Sequence, residues 1–285
     1  MESPRTLRRR IRSIGSTAQI TRAMQMVAAS KMRKAQDAAL AGRPFAQVLY
    51  RIQREATRSA ELAHPLLVRR EVRRRAVVLV GADKGLCGAL NGNLFRVAAQ
   101  YDPASTVFVT AGRRAAQFVH RSGRRLAAEF AYADSPTFPE ARAIAACARD
   151  LFVEGEVDEV LVVATRFVNT LTQEPIAVEL LPVGEIRGLK VPGVEPEAAS
   201  DETECLFEPD AQSVLEPFLT FYLNFFIYRV LLEAKASEQS ARMVSMKNAT
   251  DNAEGLIKEL TLEYNKLRQG NITKELLEIA GGQSD

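Results

Sequence analysis

The sequence has no tryptophan, three cysteines and two histidines in 285 residues, and aromatic side chains make up only 7% of it. Cys87, Cys147 and Cys205 are odd in number and follow no metal-ligand spacing, so reduced thiols in a cytosolic compartment are expected rather than a disulfide framework or a zinc site. His64 and His120 lie far apart and offer no catalytic or metal-binding pair; no catalytic residue, metal or cofactor is expected. The start, MESPRTLRRRIRS, is basic but leads into no apolar stretch, so no secretory signal is expected. Residues 214–232 look like a membrane span in composition, yet Glu216, Pro217, Asn224 and Arg229 interrupt them, and a helix of a soluble protein is expected. After Pro217 the chain has no further proline, which leaves nothing to break a long helix.

What is present is an ordinary globular composition, 47% hydrophobic and 26% charged, with room for one or two domains. The net charge of +3 conceals an asymmetry: residues 1–75 carry 18 Lys and Arg against 5 Asp and Glu, so the remainder is net acidic. Such an excess on a helix is either a solvated face or an attraction for an anionic partner, nucleic-acid phosphate or acidic protein loops.

Near the C-terminus Met243, Met246, Thr250, Ala253, Ile257, Leu260, Tyr264 and Leu267 step by alternating threes and fours, with Thr250 the one polar member. That is the coiled-coil period, which keeps one narrow stripe facing a partner helix over many turns. Near the N-terminus Leu7, Ile11, Ile14 and Ala18, then Met24, Val27 and Ala28, follow the same grammar. Neither stripe can bury itself, so the two helices are expected to pair antiparallel. At ~1.5 Å per residue, the roughly sixty residues from Phe218 onward span about 90 Å, the dimensions of a rod.

Between these helices strands and helices alternate: strands at 75–81, 106–110 and 159–165, helices from near Asn93, at 113–120 and around 140–152, and an edge strand at 175–183 flanked by prolines. The succession implies a small Rossmann-like α/β domain with a mostly parallel sheet. Residues 191–210 hold three prolines, seven acids and no base, an exposed acidic connector. The expected layout is an N-terminal coiled-coil helix at 1–58, the α/β domain at 59–190, the connector at 191–210 and a C-terminal coiled-coil helix at 211–285.

One segment invites an enzymatic reading. GADKGLCGALNGN, residues 81–93, sits where a first strand gives way to a helix, the position that holds phosphates in nucleotide-binding folds. Its glycines fit neither the dinucleotide fingerprint nor a P-loop, and Lys84 precedes the helix by too far. A tight turn that aims the helix away from the sheet is the simpler explanation, with Asp83 and Lys84 as a local ion pair of little value if exposed.

ITRAMQMVAASKMRKAQ (20–36), GADKGLCGALNGN and EQSARMVSMKNATDNAEGLIKELTLEYNKLRQGNITKELLEIAGG (238–282) closely resemble the three signature blocks of the γ subunit family of F-type ATP synthases. The resemblance runs through the whole chain, with the acidic connector least similar and Arg22 standing where lysine is common in the family. It implies a central rotor shaft: two terminal helices in an antiparallel coiled coil inside a hexamer of three α and three β subunits. The α/β domain then meets the ε subunit and the ring of c subunits. Torque would pass between that ring and the β subunits, where the nucleotide chemistry resides, and this chain would carry no catalytic residue. By similarity, Arg22, Met24 and Lys31 are expected near an acidic lever of β, and Arg268, Gln269, Thr273 and Glu275 near the β loops around the upper shaft. Met24 suits seam packing equally well. The seam itself is expected to comprise Leu7, Ile11, Ile14, Met243, Met246, Ala253, Ile257, Leu260, Tyr264 and Leu267. With only Cys205 near the place of the plastid cysteine pair, no thiol switch is expected. The absence of a plastid insert and of a targeting peptide implies a peripheral protein at the cytoplasmic face of a bacterial plasma (inner) membrane.

Two other classes fit less well. A nucleic-acid-binding coiled coil needs aromatic or polar base-reading residues among its arginines, and residues 1–40 contain no aromatic. A nucleotide-dependent enzyme needs convergent acids, bases or phosphate ligands, and none is visible.

Overall fold

The computed structural model describes residues 3–42, 45, 49, 64–183 and 211–281, apart from the side chains of residues 211, 212, 274, 275 and 278–281. The acidic connector, Cys205 and most of residues 43–63 lie outside the described residues. The chain divides into two compact units: Met1–Ala29 with Arg242–Asp285, and Ser30–Ala241. Two helices, α1 (Pro4–Ala41) and the 71-residue α5 (Ala211–Gly281), contribute to both.

The larger unit is built on a five-stranded sheet in the order β3-β2-β1-β4-β5. Its strands are β1 (Arg75–Val80), β2 (Thr106–Ala111), β3 (Arg125–Phe130), β4 (Glu159–Phe167) and β5 (Gln173–Leu181). The first four run parallel and β5 returns antiparallel to β4 through a hairpin. Helices α2 (Leu90–Ala98), α3 (Arg113–Arg121) and α4 (Phe138–Val153) form the crossovers. The central strands β1 and β2 are buried almost throughout, as expected of continuous apolar runs covered on both faces. On one face Val77, Leu79 and Phe108 pack with Leu94 and Ala98 of α2 and Ala115 and Val119 of α3. On the other, Val78, Val109 and Val162 pack with Ile144, Ala148 and Phe152 of α4 and with Leu219, Leu223 and Ile227 of α5.

The apolar stretch of α5 that passes for a membrane span in length and composition is therefore the side of a helix that covers a sheet. From Tyr222 to Ala241 nearly every residue is at least half-buried, so this part of α5 is enclosed on all sides.

Two local expectations need correction. Strand β3 was not anticipated: RLAAEF alternates between exposed and half-buried residues at a sheet edge and lacks the apolar run that marked β1. Helix α2 starts at Leu90 rather than near Asn93, because Leu90 and Leu94 both bury one turn apart, and that burial outweighs the cost of about 1 kcal/mol for Gly92 inside a helix. One oxygen of Asp83 accepts from the Arg113 amide at 3.0 Å, satisfying an N–H at the start of α3 that has no partner within the helix. Helix α4 starts on a capping box of Thr137 and Glu140.

The turn from β2 into α3 depends on one glycine. Gly112 has φ of 95°, and a Cβ there would lie 2.2 Å from the Gly81 carbonyl oxygen. Gly112→Ala is expected to destabilise the protein by roughly 2–4 kcal/mol, combining left-handed strain with overpacking, read as a lower urea midpoint.

Candidate functional site

In the smaller unit α1 and α5 pair antiparallel: Arg8 meets Tyr264, Thr21 meets Thr250 and Arg22 meets Glu254. From α1, Leu7, Ala18, Thr21 and Ala28 are buried, with Ile11, Ile14 and Met24 partly so; from α5, Met246, Thr250, Ala253 and Leu260 are buried, with Met243, Ile257, Tyr264 and Leu267 partly so. Val27, placed on the stripe from sequence, is 54% exposed, because the stripe runs from Thr21 through Met24 to Ala28, steps of three and four. Thr21 escaped notice because it is polar. Its hydroxyl lies 2.7 Å from that of Thr250, and each also reaches a carbonyl of its own helix, Ala18 at 3.1 Å and Met246 at 2.9 Å, so both polar seam residues are satisfied inside an apolar stripe.

The residues expected to face β fall into two groups. Arg22 is ion-paired with Glu254 on the coil surface, at 61% and 45% side-chain exposure, a pair worth little by itself. Lys31, in the larger unit, is ion-paired with Asp134. Arg268, Gln269 and Thr273 are exposed towards the end of α5, where Leu262, Ile272, Leu276 and Leu277 are also exposed at 44% to 71%. The Thr273 hydroxyl donates to the Gln269 carbonyl at 2.9 Å, and the Glu275 side chain lies outside the described residues.

A second cluster was not anticipated. Lys235 on α5 is fully buried in the larger unit, with its Nζ 3.0 Å from Glu238, 3.6 Å from Asp134 and 3.7 Å from Asp83, and 4.7 Å from the centre of the Tyr132 ring. Asp83 follows β1 and Asp134 follows β3, so the lysine sits at the carboxyl ends of the parallel strands, where open α/β sheets bind their ligands. The glycine loop closes over the same helix: Cys87 and Leu90 pack against Ala241. Ser237 and Ser240 donate hydrogen bonds to the carbonyls of Thr165 and Thr170 on the β4–β5 hairpin, at 3.2 and 2.8 Å. The crevice that holds phosphates in nucleotide-binding folds of this topology is here occupied by Lys235 of the protein's own helix.

The electrostatics follow from this packing. Burial raises the Tyr132 phenol well above its ordinary range, with the charges of Glu238, Asp83 and Asp134 adding to the effect, and its hydroxyl lies 3.0 Å from the Gly81 carbonyl. Asp134 is held below its ordinary value of 3.8, first by the hydrogen bond from Lys31, with the charge of Lys235 contributing. Elsewhere, a cavity of about 460 Å³ is lined by Arg33, Asp37, Leu40, Phe167, Arg229 and Glu233, and burial raises the Glu233 carboxyl. Cys87 is a buried thiol and Cys147 a half-buried one, His64 caps a short 3-10 turn through Nδ1, and His120 is exposed. Among the described residues no group of His, Cys, Asp and Glu is arranged to hold a metal ion.

A family model described as ATP synthase matches residues 3–284. The ATP synthase gamma chain of Opitutus terrae is 46% identical over 99% of this chain and 98% of its own length. The chain belongs to the ATP synthase gamma-chain family. Another relative, the gamma chain of Methylacidiphilum infernorum, is 42% identical over 99% of both chains. Among solved structures, the central stalk and c-ring of the Tetrahymena thermophila mitochondrial ATP synthase aligns with a TM-score of 0.59 at 25% identity, covering 81% of this chain and 99% of that one. The rotor of the Euglena gracilis enzyme shares the fold, with a TM-score of 0.67 at 21% identity over 94% of this chain and 98% of that one.

Two measurements check this description. Thr21→Val alone should cost about 0.5–1.5 kcal/mol by urea unfolding, and Thr21→Val with Thr250→Val should cost less than the sum, since both polar partners are then gone. For Asp134, a carboxyl depressed on folding stabilises above its unfolded value and loses that contribution as pH falls through its folded value. The stability lost between about pH 5 and pH 3 should therefore be smaller in Asp134→Asn than in the parent protein.

Proposed function

We propose that this chain is the central-stalk subunit of a membrane-associated ATP synthase, transmitting torque between the c-ring and the catalytic β subunits so that ion flow is coupled to ATP synthesis or hydrolysis. The observation that carries the reading is the antiparallel pairing of two terminal helices through a three-four seam, in a chain 46% identical to a gamma chain along its whole length. Paired helices interlocked along such a seam resist twisting better than one helix alone. Its partners are the hexamer of three α and three β subunits, the ε subunit and the c-ring. The exposed apolar end of α5, with Arg268, Gln269, Thr273 and Glu275, is the part that the hexamer grips. Arg22, Met24 and Lys31 face the acidic lever of β, with Arg22 and Lys31 also paired to acids of this chain. The chain is non-catalytic and lies at the cytoplasmic face of a bacterial plasma membrane.

The test is co-expression with the α and β subunits, followed by size-exclusion chromatography and an ATPase assay with and without this chain. A complex containing all three whose turnover depends on this chain is expected; separate elution with indifferent ATPase would overturn the reading. Leu260, buried in the seam, gives a sharper test: proline inside a helix costs ~3 kcal/mol or more and kinks it. Leu260→Pro should abolish ATP-driven proton pumping in reconstituted vesicles.

A further inference from the structure

We propose that Lys235 is a register pin, a positioning residue that locks α5 against the α/β sheet so that torque passes between them without slip. The inference rests on the central-stalk reading. It begins from an apparent waste: a fully buried ammonium surrounded by three carboxylates is an expensive way to pack a helix. Desolvating charges commonly offsets their attraction, and apolar side chains of similar size often stabilise as well or better. What a buried charge cluster supplies that an apolar face cannot is position.

Much of the α5 contact on the sheet is apolar, with Leu219, Leu223, Ile227 and Leu231 in one core cluster with the strands, and such burial is non-directional. A helix held by that face alone can shift along its axis into neighbouring grooves. Lys235 forbids the shift. Its ammonium is fixed by Asp83 after β1, by Asp134 after β3 and by Glu238 one turn along its own helix. A slip of one helical turn, ~5.4 Å, would carry it beyond reach of Asp83 and Asp134 and leave the buried ammonium with only the Glu238 carboxylate of these three, which travels with it on α5. The Asp134 carboxylate also binds Lys31 on α1, so one acid holds both long helices to the same edge of the sheet. Asp83 likewise joins α5 to the first turn of α3 through the Arg113 amide. Ser237 and Ser240 contribute neutral hydrogen bonds, whereas the charges make displacement costly over a longer range.

The obvious variant, Lys235→Met, removes the ammonium from beside Glu238, whose side chain is 3% exposed, and the destabilisation this brings would mask any loss of register. Lys235→Met combined with Glu238→Gln removes that fault, because Asp83 and Asp134, at 23% and 46% side-chain exposure, remain hydrated. The experiment reconstitutes the full ATP synthase into vesicles with the parent chain, the double variant or Lys235→Arg. It measures assembly, melting temperature and protons pumped per ATP hydrolysed. The double variant should assemble and melt within about 4 °C of the parent. Its pumping per ATP should fall at least threefold, and Lys235→Arg should recover most of the loss. Unchanged pumping per ATP in the double variant, or a loss that only parallels lower assembly and melting temperature, would overturn the pin. Failure of the parent chain to support pumping would instead overturn the central-stalk reading beneath it.

Discussion

A helix of 71 residues cannot bury its own apolar surface, and the architecture follows from how α5 meets that constraint. Its apolar face changes width along its length. From Tyr222 to Ala241 the helix is enclosed on all sides, covering a sheet face with Leu223 and Ile227. Beyond Arg242 the buried positions narrow to a stripe of Met246, Thr250, Ala253 and Leu260, which needs only one partner helix. α1 supplies that partner, and its own stripe would otherwise face water. Each terminal helix thus depends on the other.

The α/β unit is built like a nucleotide-binding domain and used differently. The strand order, the glycine-rich turn after β1 and the helix that follows match the framework on which phosphates are held in other proteins. Here the crevice at the carboxyl ends of the strands receives Lys235, and Cys87 and Leu90 of the loop pack on Ala241. A fixed ammonium occupies the site of a mobile ligand's charge, with the signs reversed: the sheet loops supply carboxylates and the helix supplies the cation. The same topology can therefore grip a structural element as firmly as a substrate.

Polar groups carry the specificity of both helix contacts. In the coil, the hydroxyls of Thr21 and Thr250 face each other at 2.7 Å and add a directional contact to an apolar stripe. In the larger unit, the ionic cluster does the same at greater desolvation cost. Apolar burial supplies most of the adhesion, and these few groups decide the position. A shaft under load needs both, since adhesion without register permits sliding.

The two heptad stripes, the strands β1, β2, β4 and β5, the crossover helices and the family were legible in the sequence, because each rests on a short-range pattern: three-four spacing, apolar runs or contiguous blocks of residues. Strand β3 was not, since its edge position leaves an alternation too weak to read. The exposure of Val27, the burial of Thr21 and the partners of Arg22 and Lys31 were settled only when the chain folded, as was the ring of carboxylates about Lys235. The acids that pair with Arg22 and Lys31 stand 232 and 103 residues away in sequence. Local propensity fixes which segments become helix or strand; which charge lies within reach of which depends on segments far apart in the chain being packed together, and that belongs to the tertiary structure alone.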